Sequence, residues 1–155
     1  MSKTPAFTLI ELLISVAIMA VITAAIIPSF GNFAFRHAVL ASAEGLKNNL
    51  ELLQSKSVGG VAAGSTLVSW GASFGSAGSS SYSLGYISPT TGWNSQKVVT
   101  LPGGVLVTCT VTQVSFERIT GSLSNTGSCT FYLSSDTSTS KTVAITSAGS
   151  ITVIN

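Results

Sequence analysis

The chain has 155 residues and a formal net charge of +2, and only 8% of its residues are charged, whereas ordinary soluble domains contain roughly 25%. Residues 59–155 hold three cations and two anions, so they offer neither a basic tract for a nucleic acid nor an acidic run. The length suits one domain with an appendage. The charge-poor, hydroxyl-rich body indicates a protein that works outside the cytoplasm, or one packed against copies of itself.

The N-terminal segment, residues 7–27, is apolar except for Glu11, Thr8, Ser15 and Thr23. It has about the length of one membrane-spanning helix. A secretory signal peptide, with Lys3 as its basic end and a cut near Ala24 or Ala25, would have a shorter apolar region without a carboxylate. A plain membrane anchor would gain nothing from Glu11, since a charge at the bilayer centre costs at least ~2.5–3.5 kcal/mol.

A third interpretation supplies Glu11 with a partner, because we see none for its charge within the segment. A cut between Ala6 and Phe7 would create an α-amino group on Phe7, four residues before Glu11. The amine of one subunit would then pair with the carboxylate of a neighbour, so that neither charge stays uncompensated in an apolar core. The pair would also fix the axial register between subunits, which is useful only to a polymer.

The stretch "FTLIELLISVAIMAVITAAIIPSF" behind a short leader resembles the class III signal of type IV pilins and type II secretion pseudopilins. The resemblance implies that a prepilin peptidase cuts before Phe7 and methylates its amine, and that Glu11 guides assembly. Pro28 falls where pilins carry a helix-loosening proline, with Gly31 close by. Ala6 departs from the usual glycine before the cut, which would slow cleavage, and Ala20 replaces a glycine that many pilins have.

Beyond this segment, apolar residues recur at steps of three and four, which predicts one buried helical face. The members of this stripe are Phe35, Val39, Ala43, Leu46, Leu50 and Leu53. The helix should end near Val58, before Gly59 and Gly60, and Pro28 should kink it. We expect a leader at 1–6, a helix at 7–58 (7–30 in membrane or filament core, 31–58 packed on the head) and a β-rich head at 59–155.

Short β-rich runs separated by turn residues follow the helix. We predict strands at 66–70, 82–87, 97–101, 105–112, 115–119, 128–133, 141–146 and 150–154. The last two form a hairpin turning at Ala148 and Gly149, and residues 71–81 form a Gly/Ser loop. The predicted fold class is α+β, with a long N-terminal helix packed on an antiparallel sheet as in pilins.

The C-terminal part carries a second, looser resemblance, to the heads of GspH/FimT-like pilins. It rests on a stretch with Phe116 and Gly121 and on the closing hairpin around Gly149. GspH-like proteins are minor pseudopilins, and some FimT-like minor pilins bind DNA through basic residues around that hairpin. Here only Lys141 lies nearby, and each phosphate contact needs a cation, so the residues argue against a nucleic-acid role.

The two cysteines, Cys109 and Cys129, lack the second pair or His cluster that a metal site would need. In an exported domain they most simply form a disulfide, and closing a loop of about twenty residues would contribute ~3 kcal/mol. No nucleophile, base and orienting group occur together. We therefore expect no catalytic site, metal or cofactor.

These observations predict a filament subunit, a pilin or minor pilin. Its expected partners are copies of itself, other pilins or pseudopilins, prepilin peptidase, the inner-membrane assembly platform and, before assembly, membrane lipid. Its head would be exported, and the filament would be an extracellular pilus or a periplasmic pseudopilus. Three alternatives remain: a GspH-like minor pseudopilin of type II secretion, a minor pilin that binds DNA for uptake, and a membrane-anchored binding module that never polymerises.

Overall fold

A computed structural model describes the backbone of residues 8–64 and 66–154 and, within these ranges, all side chains except those of residues 25–32. One helix, α1 (Leu9–Val58), contains 50 residues. The chain divides into two compact units, Met1–Arg36 and His37–Asn155. Within the described residues, no helix has both the length and the mean hydropathy that a membrane span requires.

In the described part of the second unit, ten strands follow the helix. They are β1 (Ala62–Ala63), β2 (Thr66–Leu67), β3 (Ser69–Phe74), β4 (Ser81–Ser88), β5 (Gly92–Thr100), β6 (Val105–Cys109), β7 (Gln113–Ser115), β8 (Gly127–Leu133), β9 (Ser140–Ile145) and β10 (Ile151–Ile154). They form a small hairpin, β1-β2, and two four-stranded antiparallel sheets of order β5-β4-β3-β7 and β10-β9-β8-β6. The long helix with its antiparallel sheets confirms the predicted fold class.

The helix from Val39 onward supplies one wall of the core. Five of the six residues in the predicted stripe are buried, namely Val39, Ala43, Leu46, Leu50 and Leu53. They join one cluster with Phe116, Phe131 and other side chains of both sheets. The prediction is wrong for Phe35, whose side chain is 48% exposed and which belongs to the first unit. Burial of the stripe, rather than intrinsic helix propensity, is what stabilises such a helix end.

Two predicted segments are corrected by the pairing of β3. The first residues of the predicted loop at 71–81 belong to strand β3 instead. Gly71 lies between β4 and β7 in the sheet, and a Cβ at this position would clash with the carbonyl of Val114. A glycine inside a strand often marks such a close backbone approach. The predicted strand at 115–119 is wrong beyond its first residue, because β7 ends at Ser115 and a turn follows it.

The closing hairpin matches its prediction closely. Strands β9 and β10 pair with Ile151 opposite Ile145 and Val153 opposite Val143. The N–H of Gly149 donates to the carbonyl of Thr146 at 2.9 Å, and the φ of Gly149 is 82°. Glycine suits this left-handed position because it has no Cβ.

Candidate assembly site and the anchoring of the head

The first turn of α1 is closed by a reciprocal pair of hydrogen bonds. Thr8 directly precedes the helix, and its N–H and Oγ1 donate to Oε2 of Glu11 at 2.9 and 2.8 Å. The N–H of Glu11 in turn donates to Oγ1 of Thr8 at 3.3 Å. This is the capping box, a Ser/Thr and a Glu three residues later that satisfy each other's backbone donors.

This geometry corrects part of the sequence argument, which found no partner for Glu11 inside the segment. Thr8 is such a partner for one carboxylate oxygen, although it brings no charge. Both hydrogen bonds that the carboxylate accepts from described residues go to Oε2. The pattern Thr-x-x-Glu was present in the sequence and could have revealed the cap.

The surface of α1 from Leu9 to Ala24 is apolar on all sides apart from Glu11, Ser15 and Thr23. Its large side chains are 52–79% exposed, and they are Leu9, Ile10, Leu12, Leu13, Ile14, Val16, Ile18, Met19, Val21 and Ile22. The two hydroxyls in this stretch bond back to the helix, with Ser15 donating to the carbonyl of Glu11 at 2.8 Å and Thr23 to that of Met19 at 2.7 Å. A helix that is hydrophobic all round needs an apolar environment, either a protein core or a bilayer.

The remaining predicted assembly residues are covered only in part. Ala6 and Phe7 lie outside the described residues. Pro28 and Gly31 lie within α1, where only the backbone is described, so their helix-loosening role stays a prediction. The cleavage, methylation and charge pairing assigned to Phe7 and Glu11 also stay predictions.

The C-terminal end of α1 is fastened to the sheets by two side chains that the sequence analysis missed. Ser57 is fully buried; its Oγ donates to the carbonyl of Phe116 at 3.1 Å and accepts from the N–H of Trp70 at 2.8 Å. Nε2 of Gln54 donates to the carbonyls of Gly121 and Gly149 at 3.0 and 3.1 Å. Gln54 therefore connects the helix to the two turns that contain Gly121 and Gly149.

Those two turns leave no room for larger residues. A Cβ on Gly149 would meet Nε2 of Gln54 and the carbonyl of Gly121, and both glycines have positive φ, 82° and 68°. Gly121 and the final hairpin, which the resemblance paired, thus meet at Gln54, and the carbonyl of Phe116 is bound by Ser57 of the same helix.

The predicted disulfide is confirmed. Cys109 and Cys129 are bonded, with Cα atoms 4.0 Å apart, and they are opposite residues of β6 and β8. Cys129 is fully buried. The bond joins the edge strand β6 to the interior strand β8 of its sheet.

Two acidic side chains of the head accept hydrogen bonds from nearby hydroxyl groups. Oδ1 of Asp136 accepts from the N–H and Oγ of Ser138 at 3.0 and 2.6 Å, and Oδ2 accepts from Thr139 at 2.9 Å. Glu117 is on a turn rather than on the predicted strand, and its Oε2 accepts from Ser122 at 2.8 Å. Within residues 8–64 and 66–154 no group of three His, Cys, Asp or Glu side chains could hold a metal ion.

Comparison with known proteins gives two independent likenesses. Residues 1–27 match the family model of the prokaryotic N-terminal methylation motif. A search of curated protein sequences finds no significant match. The fold of the chain resembles that of the minor pseudopilin EpsH from the type 2 secretion system of Vibrio cholerae, with a TM-score of 0.60 at 12% identity over 75% of this chain and 95% of EpsH.

The fold also resembles that of the type IV minor pilin FimU of Pseudomonas aeruginosa strain PAO1, with a TM-score of 0.57 at 14% identity over 75% of this chain and 92% of FimU. A second crystal form of FimU gives a TM-score of 0.59. The chain thus joins the N-terminal methylation motif to the fold of pilins and pseudopilins, and the structures that it resembles are not those of enzymes. Both components of the predicted resemblance, signal and fold, are confirmed.

Proposed function

We propose that this chain is a structural subunit of a type IV pilus-like filament, held together through its N-terminal helix. The observation that carries the proposal is the methylation motif at residues 1–27 on a chain with a pilin-type fold. Each half alone is ambiguous, since a motif indicates processing and a fold supports many functions. Together they favour a protein that is exported, processed and polymerised.

The proposed assembly proceeds from an anchored precursor. The apolar segment holds the precursor in the membrane with the head outside, and prepilin peptidase cuts between Ala6 and Phe7 and methylates the new amine. As the subunit leaves the membrane, neighbouring helices replace lipid around the exposed apolar side chains of α1, so van der Waals packing between helices holds the subunit in place. The carboxylate of Glu11 pairs with the Phe7 amine of a neighbour and fixes the register.

The capping box separates two roles of Glu11 that would otherwise be confused. Glu11→Gln keeps an acceptor for the N–H of Thr8 but removes the charge, whereas Thr8→Val removes the hydroxyl of the cap but keeps the charge. If the charge pair governs assembly, we expect Glu11→Gln and Glu11→Ala to lower filament yield at least tenfold and Thr8→Val to lower it far less. Glu51→Gln, an exposed carboxylate of α1 outside the apolar segment, is the matched control.

The measurement is the amount of the chain in sheared filaments relative to total cellular chain, together with the mass of its N-terminal peptide. A peptide that starts at a methylated Phe7 and a yield that depends on the Glu11 charge support the proposal. Wild-type yield from Glu11→Ala, or a mature chain that starts at Met1 or near Ala24, would contradict it and leave a membrane-anchored binding module.

A specific observation favours one alternative function as the second candidate. The fold likeness to EpsH favours a minor pseudopilin of type II secretion as the second candidate. The DNA-binding alternative has less support, because strands β9 and β10 and the turn between them carry a single cation, Lys141, and nonspecific DNA affinity depends on several phosphate contacts.

A further inference from the structure

The two four-stranded sheets of the head have four outer edges, and other parts of the chain close two of them. At the edge of β6, the N–H of Val107 donates to the carbonyl of Ser79 at 2.9 Å, and the N–H of Ser79 donates back at 3.1 Å. At the edge of β7, the N–H of Ser124 donates to the carbonyl of Ser115 at 3.2 Å. Among the described residues, the strands left with an open edge are β5 and β10. Such an edge is a template for pairing with another chain.

The outward backbone groups of β10 belong to Ile151 and Val153. Just before this strand, the N–H of Thr146 donates to the carbonyl of Ser150 at 3.0 Å. In an antiparallel pair, hydrogen-bonded and non-hydrogen-bonded positions alternate. Counted from this bond along the register of β9 and β10, the N–H and C=O groups of Ile151 and Val153 point away from β9.

The outward backbone groups of β5 belong to Val98 and Thr100. The N–H of Leu101 donates to the carbonyl of Ser80 at 2.9 Å, so the same alternation along β4 and β5 directs the groups of Val98 and Thr100 away from β4. A register shift interrupts β5 ahead of the stretch Lys97–Thr100. This regular part of the edge has the same four-residue length as β10.

We propose that β5 of one copy pairs in parallel with β10 of a neighbouring copy, an inference that rests on the proposed filament function. The stretch Lys97–Thr100 then overlaps the whole of β10, with Val98 opposite Thr152, and both open edges gain hydrogen-bond partners. Strand addition of this kind recognises the backbone of the partner. Because the two edges are unlike, the interface is heterologous, so each copy keeps one free edge of each kind and growth continues.

The positions of the side chains select parallel over antiparallel pairing. Ile151 and Val153 of β10 pack against the core, and so does Val99 of β5, whereas Val98 lies on the outer face and is 62% exposed. In an antiparallel pair, residues with facing backbone groups lie opposite each other, so the core face of β10 would continue into the outer face of β5. In a parallel pair, such a residue lies opposite one whose groups face away, so both core faces lie on the same side.

The charges at the two edges agree with the parallel orientation. An open groove of about 500 Å³ is lined by β10 and, from α1, by Glu44, Lys47 and Asn48. Lys47 already lies 3.7 Å from Glu51, whereas Glu44 is exposed and forms no salt bridge within the described part of the chain. Lys97 is exposed and shares the core-side face of β5 with Val99. Parallel pairing therefore brings this cation to the groove that holds the carboxylate of Glu44.

The pairing is short, and its length determines where it is effective. Two strands alone are marginally stable in water, so separate heads in dilute solution should not associate through these edges. In a filament, the N-terminal helices hold neighbouring heads side by side, which raises the effective concentration of one edge at the other. The proposed contact thus acts between heads that are already assembled.

Cysteine crosslinking in native filaments tests the pairing. The full chain carrying both Val98→Cys and Thr152→Cys is produced in its own cells, and sheared filaments are oxidised and run on non-reducing gels. Both positions are exposed, so we expect a ladder of covalent multimers. Ser95→Cys with Thr152→Cys is the control, because Ser95 is exposed on the same strand but lies before the register shift.

A ladder no stronger than that of the control overturns the proposal. Dimers of comparable yield from Val98→Cys alone or from Thr152→Cys alone also overturn it, since like edges would then meet. If the ladder is absent while filament yield still depends on the charge of Glu11, the pairing fails and the proposed function stands. Wild-type yield from Glu11→Ala would instead contradict the proposed function itself.

A second variant distinguishes the pairing from a merely structural role of β5. Val98→Pro removes a donor that points away from β4, and proline is tolerated on an edge strand in this orientation. We therefore expect the full chain in detergent to unfold near the wild-type temperature while its filament yield falls severalfold. A wild-type yield from Val98→Pro would show that the open edge of β5 is not used.

Discussion

At the scale of single residues, Tyr82 shows how burial sets a measurable property of the head. Its side chain is 3% exposed, and its hydroxyl accepts a hydrogen bond from Nδ2 of Asn49 at 3.0 Å. Burial disfavours the charged phenolate and raises the pKa of Tyr82, and the hydrogen bond from Asn49 offsets part of this rise. An unfolded tyrosine has a pKa near ~10.

The sign of the pH dependence follows from this shift. Between the unfolded pKa and the higher folded one, the folded protein binds more protons, so the free energy of unfolding falls as the pH rises through that window. Below about pH 9 this contribution is fully present. We expect denaturant unfolding at pH 9–11.5 to show this fall, and Tyr82→Phe to flatten it. Tyr132→Phe is the control. An equally steep fall in Tyr82→Phe would contradict the assignment.

Single residues also show where sequence reasoning succeeds and stops. Glu11 stands out because a charge in an apolar run is costly. The cysteine pair stands out because an exported domain lies in an oxidising environment, where thiols form disulfides. Thr8 was equally visible as the start of a Thr-x-x-Glu cap but was counted only as a polar residue. Gln54 and Ser57 carried no local signal, since their hydrogen-bond partners lie 13–95 residues away in the sequence.

At the scale of elements, the C-terminal end of α1 and the turns that contain Gly121 and Gly149 are held together by hydrogen bonds. Gln54 is the only described side chain of α1 that donates hydrogen bonds to both Gly121 and Gly149. Without it, two partly enclosed carbonyls lose their partner, and an unsatisfied group of this kind costs about 1–3 kcal/mol. These hydrogen bonds therefore connect the helix to segments that are far away in the sequence.

We expect Gln54→Leu, which keeps the volume but not the donors, to lower the free energy of unfolding by about 1–3 kcal/mol. Chemical denaturation monitored by tryptophan fluorescence checks this value. The control is Asn48→Leu on the same helix, an exposed position where a change of less than about 0.5 kcal/mol is usual. Equal values for the two variants would show that the Gln54 hydrogen bonds contribute nothing.

The strands show the same limit of local information. Alternating, β-rich runs placed β4, β8, β9 and β10 nearly correctly, because each buries one face and carries a period of two. Gly71 looked like part of a flexible Gly/Ser loop, yet it is needed in β3 because β7 approaches there. The course of residues 115–119 depends on the turn at Ile119, whose φ is 73°, and no propensity scale predicts isoleucine in that conformation.

At the scale of the whole molecule, apolar side chains are distributed in opposite ways in the two units. In the second unit they form one buried cluster that runs from Val39 to Ile151. In the first unit, the described large side chains from Leu9 to Ile22 are all at least half exposed. A folded head can hide its own core, but the apolar helix surface needs a bilayer, a micelle or neighbouring subunits to cover it.

We therefore expect a chain that starts at Phe33 to be monodisperse without detergent and to unfold cooperatively, whereas the full chain associates unless detergent or lipid is added. Light scattering after size-exclusion chromatography gives the mass of each species.

The control is the full chain with Leu9, Leu12, Val16 and Val21 changed to Ser, which keeps the length of the segment and reduces its apolar surface. If apolar surface drives association, this control should associate less than the wild type. Equal association of both full chains would assign the effect to another property of the segment, and association of the shortened chain would place a self-binding surface on the head itself.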